Sequence, residues 1–179
     1  ARAPEIAETG SFGKLKEPIL RFTGLIRLLP ISAADGRLDV RGMEFLLAQE
    51  PMRAPSVFNF FEPDFTRPGP LAAAGLYAPE FQILTDTTAI TAPNMYYNHI
   101  FLQPGGISMN FDSIVGLASD PDQLIATLNL HLAAGQLSAG SIAQLKAAHA
   151  ALPSGTSALN TVRSLTYLTL LTPEAAVQR

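Results

Sequence analysis

The sequence contains no cysteine. That excludes a disulfide framework and any thiolate chemistry, and it suits an exported protein folding without disulfides as well as a cytosolic one. Charge is also scarce. Asp, Glu, Lys and Arg make up 15% of residues, against about 25% in ordinary soluble domains. The deficit is local: from Ser113 to Gln178 only Asp120, Asp122, Lys146, Arg163 and Glu174 are charged. Helices this poor in charge have more than one covered face, so this part of the chain is expected to pack against more protein. No basic tract is present, and the net charge is −3. Arg2, Lys14, Lys16, Arg21 and Arg27 come nearest to one, offset by Glu5, Glu8 and Glu17. Nucleic-acid binding through phosphate neutralisation is not expected from such a balance. No apolar run approaches the ~20 residues that span a bilayer, so no transmembrane segment is expected. The opening Ala1-Arg2-Ala3-Pro4-Glu5 has neither a Met nor a signal-peptide core. It reads as the start of a piece of a longer protein, and says nothing of location.

What is present is mostly helix signals. Residues 1–15 read as a linker or loop, and 16–179 as a single helical domain. Pro18 suits a first helical position, and the apolar residues from Ile19 to Leu29 cover most of the circumference, leaving Arg21, Gly24 and Arg27 as one narrow polar stripe. Pro30 ends that helix, and Ala34-Asp35-Gly36 is a turn. Met43 to Leu47 fits a short helix. Between Pro51 and Pro79 the prolines are too dense for a long regular element. Residues 51–78 are therefore expected to wrap over the helices as an irregular clamp, anchored by Phe58, Phe60, Phe61 and Phe65.

Pro79-Glu80 signals another helix, running through Phe81, Leu84 and Ile90. Pro93 then kinks it or begins a new one over Asn94 to Leu102, stopped by Pro104-Gly105-Gly106. Ile107 to Phe111 reads as irregular. Asp120-Pro121-Asp122-Gln123 combines a cap, a proline and a Gln at capping-box spacing. That helix closes at Gly135. Ser138 caps the next, so 120–152 should form an antiparallel hairpin. A terminal helix is expected over 158–171, with Leu159, Val162, Leu165, Leu168 and Leu171 on one face, followed by a short turn at Pro173-Glu174. The fold class is all-α, with long proline-rich irregular segments.

Chemistry is less evident. His131 and His149 lie on the apolar stripes of the hairpin, about 10 Å apart along its axis at 1.5 Å rise per residue. That is too far to share one ion, so both read as core or interface histidines and no metal site is expected. Asn94-Met95-Tyr96-Tyr97-Asn98-His99 is rich in hydrogen-bonding groups. Tyr96 and His99 fit an interface, where Tyr is enriched, or acid–base work. Glu62 and Asp64 flank Pro63, and paired carboxylates divide acid and base roles in some enzymes. Arg53 and Asn59 fit hydrogen bonds that tie the segment down. The candidate binding residues are therefore Arg53, Asn59, Glu62, Asp64, Tyr96 and His99. No Gly-x-Ser-x-Gly, phosphate loop or dinucleotide fingerprint occurs, and no cofactor is expected.

One stretch carries a resemblance. Arg53-Ala54-Pro55-Ser56-Val57-Phe58-Asn59-Phe60-Phe61-Glu62-Pro63-Asp64-Phe65 resembles the signature of the bacterial "domain of unknown function 1800" family. Gly13-Lys14-Leu15-Lys16-Glu17-Pro18-Ile19-Leu20-Arg21, Ala73-Ala74-Gly75-Leu76-Tyr77-Ala78-Pro79-Glu80-Phe81-Gln82 and Val162-Arg163 agree in order, as does the closing Leu171-Thr172-Pro173-Glu174-Ala175-Ala176-Val177-Gln178-Arg179. The resemblance implies the C-terminal part of a longer helical protein, exported to the periplasm, cell surface or medium. It also implies two partners, the remainder of the same protein and an exported companion similar to sulfatases. It assigns no catalytic residue. The leading expectation is a non-enzymatic helical interaction module. The alternative is a hydrolase of a cell-surface or extracellular polymer, with a cleft lined by Arg53, Glu62, Asp64 and His99.

Overall fold

A computed structural model describes residues 13–33, 36, 43–104 and 107–178. Helix dominates, with eight α-helices among the described residues. The first, α1 (Pro18–Leu28), starts on Pro18 as expected and buries Phe22, Leu25 and Leu28. The short α2 (Met43–Leu47) buries Met43 and Leu47, and α3 (Pro70–Ala73) buries nothing.

Pro79 and Glu80 do not begin an α-helix. They form a 3-10 turn, Pro79–Gln82. A separate helix, α4 (Asp86–Tyr97), begins after it, with a reciprocal capping box between Thr85 and Thr88. That local cap prevails over the proline start signal. Pro93 lies inside α4 without ending it, and the chain continues as a π-helical turn, Asn98–Leu102. Gln103, in the left-handed region at φ 50°, ends this run.

After α5 (Asp112–Val115), the chain closes with three helices, α6 (Pro121–Ala133), α7 (Ala139–Ala150) and α8 (Ala158–Leu171). Each begins on an oxygen cap. Asp120 accepts from the Gln123 amide, Ser138 from Ser141 and Ser157 from Asn160. Ala134 and Gly135 turn left-handed after α6, the conformation glycine suits best. The Lys146 ammonium pairs with Asp122 across the hairpin.

The core gathers Phe22, Leu25 and Leu29 with Tyr96, Ile100, Leu124, Leu128 and Leu165. On α8 the buried residues are Thr161, Val162, Leu165, Thr166, Thr169 and Leu170. The predicted stripe holds at Val162 and Leu165 and then drifts, leaving Leu168 and Leu171 exposed.

Two antiparallel ladders were not foreseen. β1 (Lys14–Leu15) pairs with β4 (Val177–Gln178), so the supposed end of a linker is tied to the far end of the chain. β2 (Ile31–Ala33) pairs with β3 (Ile107–Met109), turning an expected irregular piece into a strand. The predicted turn at 34–36 is described only at Gly36, which has φ 71° and donates to the Ala33 carbonyl at 2.9 Å. Gly105 and Gly106 of the expected stop, and residues 1–12 of the expected linker, lie outside the described residues.

Segment 51–78 is tied to the 3-10 turn and to Leu84 just after it, but its phenylalanines do not anchor it. Phe58 is exposed, and Phe60, Phe61 and Phe65 are half-buried. Polar and main-chain contacts hold it instead. The Ala78 amide donates to the Phe65 carbonyl at 2.8 Å. The Glu62 amide donates to Gln82 Oε1 at 2.7 Å. Arg67 donates to the Leu84 carbonyl at 3.2 Å and lies over the Phe81 ring.

Candidate functional site

Among the described residues the six sequence-predicted residues are not joined by hydrogen bonds or ion pairs into one network. Arg53 is exposed and pairs with the carboxylate of Glu50 at 3.2 Å, rather than with a main-chain carbonyl. Asn59 contributes through its backbone. Its φ is 72°, a conformation Asn tolerates better than most side chains, and it closes a turn with Ser56 through a 3.2 Å hydrogen bond. Glu62 and Asp64 are exposed.

Tyr96 is fully buried, with its hydroxyl 3.4 Å from the Pro18 carbonyl. Burial raises its pKa, with Arg21 opposing the shift. His99 is half-buried, edge-on to Phe22 at 5.0 Å. Its Nδ1 lies 2.8 Å from the Met95 carbonyl, which only accepts, so Nδ1 carries the proton. Among the described residues no hydrogen bond or ion pair joins Arg53, Asn59, Glu62 or Asp64 to Tyr96 or His99. Tyr97, beside them, stacks on Phe101 at 4.8 Å and meets Tyr167 of α8 edge-on.

The other two histidines part ways. His149 Nε2 donates to the Ala118 carbonyl at 2.9 Å, a structural contact. His131 is exposed, because the buried stripe of α6 runs through Leu124, Ile125, Leu128 and Leu132 and turns position 131 outward. No group of three His, Asp or Glu side chains that could hold a metal occurs among the described residues.

Two surface features stand out. The first is an apolar stretch around α2. Phe45 is 76% exposed, Met52 101%, Val57 95% and Phe58 62%. The Glu50–Arg53 ion pair stiffens its middle, with the Glu50 side chain only 6% exposed. The Thr91 hydroxyl donates to the Leu46 carbonyl at 2.6 Å, setting α2 against α4 next to exposed Ile90.

The second is a groove of about 400 Å³ between α1 and the C-terminal end of α6, lined among others by Lys16, Arg21, Gly24, Arg27, His131 and Gln136. Lys16 donates to the Leu132 carbonyl at 3.0 Å. Arg21 donates to the Leu170 carbonyl and lies over the Tyr96 ring, 5.5 Å from its centroid. Burial, and then the charge of Arg21, lowers the Lys16 pKa. The polar stripe Arg21-Gly24-Arg27 was visible in sequence. Among the described residues the compensation expected for it does not occur at the groove, since the Glu17 carboxylate accepts instead from Gln49 at 2.6 Å. Lys14 is neutralised elsewhere, by Glu80 at 3.1 Å. Glu5 and Glu8 lie outside the described residues.

The chain belongs to the family described as protein of unknown function (DUF1800), whose model matches residues 1–177. No curated protein matches it, and no solved structure does.

Proposed function

We propose that this member of the family is a non-enzymatic helical interaction module. It docks other protein through the apolar stretch Phe45 to Phe58. The observation that carries the reading is the nearly complete exposure of Met52 and Val57, and the high exposure of Phe45, on a segment otherwise fixed by hydrogen bonds and an ion pair. Burying one such side chain removes roughly 1.5–3 kcal/mol of exposure cost, and aromatic and Met residues are enriched at interfaces. The first occupant is the remainder of the same exported bacterial polypeptide, of which this chain forms the C-terminal part. A second is an exported partner of the sulfatase-like kind. The hydrolase reading gains no support from geometry, because Arg53, Glu62, Asp64 and His99 are not gathered into one contact network.

Sedimentation velocity over a concentration series tests this. Made alone, residues 1–179 self-associate through the uncovered stretch, and the triple variant Phe45→Ser, Val57→Ser, Phe58→Ser is monomeric. A wild-type chain that stays monodisperse and monomeric at all concentrations would contradict the reading.

A further inference from the structure

Three cations, Lys16, Arg21 and Arg27, share one open groove, and among the described residues no carboxylate lines it. Its volume, about 400 Å³, falls in the range of about 300–1,000 Å³ typical of small-ligand sites. One wall is the α1 stripe, where Arg21 and Arg27 stand six residues apart, roughly 9 Å along the axis. Gly24 between them bears no side chain, and a Cβ there would meet nothing within 4 Å, so the space between the two guanidinium groups is open. Arg27 is exposed and has no hydrogen-bond or ion-pair partner among the described residues. Arg21 spends one terminal nitrogen on Leu170, while its Nε is buried without a partner. Buried donors are nearly always satisfied. Lys16 and Arg21 repel one another, since Arg21 adds to burial in disfavouring the Lys16 charge. The negative end of α6, where Lys16 meets the Leu132 carbonyl, offsets only part of a charge.

We propose that this groove binds an oxyanion ligand carrying two or more negative charges on phosphate or carboxylate oxygens, with Arg27 as its free fork and Lys16 and Arg21 as fixed countercharges. A planar guanidinium meets either kind of oxygen pair with two parallel hydrogen bonds. A singly charged anion would leave two of the three cations uncompensated. The site is independent of residues 45–58, so its failure leaves the docking reading untouched.

Calorimetric titration of the full chain with inorganic phosphate and, separately, citrate, at ionic strength matched with sodium chloride, tests it. The expected result is saturable one-to-one binding of at least one probe, weakened at least tenfold in Arg27→Gln and unchanged in Lys146→Gln, a cation outside both the groove and residues 45–58. Phosphate binding alone identifies a phosphate ligand, and citrate binding alone a carboxylate one. Should Arg27→Gln fail to fold, Gly24→Leu, which fills the open stretch, is expected to give the same loss. Absence of saturable binding by both probes, a loss under tenfold in the folded groove variant, or an equal loss in Lys146→Gln overturns the proposal.

Discussion

The Lys16 ammonium donates to the main-chain carbonyl of Leu132 at 3.0 Å, fastening the segment before α1 to the last turn of α6. The bond holds a charge where burial and Arg21 both disfavour it. Because the folded-state pKa lies below the ordinary 10.5, the unfolded chain binds more protons between the two values. Stability therefore rises with pH in that window. Urea midpoints at pH 7 and pH 10 are expected to show wild type gaining on Lys16→Met. A difference that does not change with pH would contradict this placement of Lys16.

Glu174 shifts the other way. Its carboxyl is held at about 2, mainly by hydrogen bonding from the Ser138 side chain and against the effect of burial, with further help from the Ser141 hydroxyl and the Ser138 amide. Glu174 Oε1 accepts from the Ser138 amide at 3.1 Å and from the Ser141 hydroxyl at 2.8 Å, so the end of the chain supports the first turn of α7. A depressed carboxylate stabilises fully above its ordinary pKa, and that contribution fades as pH falls through the folded value. The stability gap between wild type and Glu174→Gln should be largest above pH 4.5 and close between there and about pH 2. Denaturant titrations across that range measure it.

Gly24 sits inside α1 with open space where a Cβ would go. Glycine costs up to about 1 kcal/mol against alanine in a helix interior. Gly24→Ala is therefore expected to raise stability by about 0.5–1 kcal/mol in chemical denaturation. A loss would mean that α1 packs more closely than described.

The facing of α8 gives a paired test. Leu165 is fully buried and Leu168 is 37% exposed. Leu165→Ala should cost about 2–5 kcal/mol, as for buried leucines. Leu168→Ala should cost less than about 1.5 kcal/mol, since part of that side chain is already in water. Equal costs would mean that the helix is rotated.

The elements legible in sequence were those specified within a few residues. Asp120 and Ser138 each bond an amide three positions on, so the starts of α6 and α7 could be placed from local chemistry. Thr85 escaped notice because its capping box follows Pro79-Glu80, a start signal that the chain spends on a 3-10 turn. The ladders escaped because Lys14–Leu15 and Ile107–Met109 are too short to show alternation, and their partners lie far away in sequence.

The candidate site was half legible. Arg21, Gly24 and Arg27 follow from helical spacing alone, but His131 and Gln136 reach the groove only through tertiary packing. Counting Glu17 as an offset failed because a sequence does not show that its carboxylate turns to Gln49. The aromatic density of 53–65 suggested burial, yet polar and main-chain bonds do that anchoring and leave Val57 and Phe58 in solvent.

Hydrogen exchange at residues 45–58 tests the docking account most directly. Amide exchange is compared between residues 1–179 made alone and the native polypeptide as its host produces it. Slower exchange across 45–58 in the native protein, with α8 unchanged, is the predicted result. Identical exchange over 45–58 in the two preparations would contradict it.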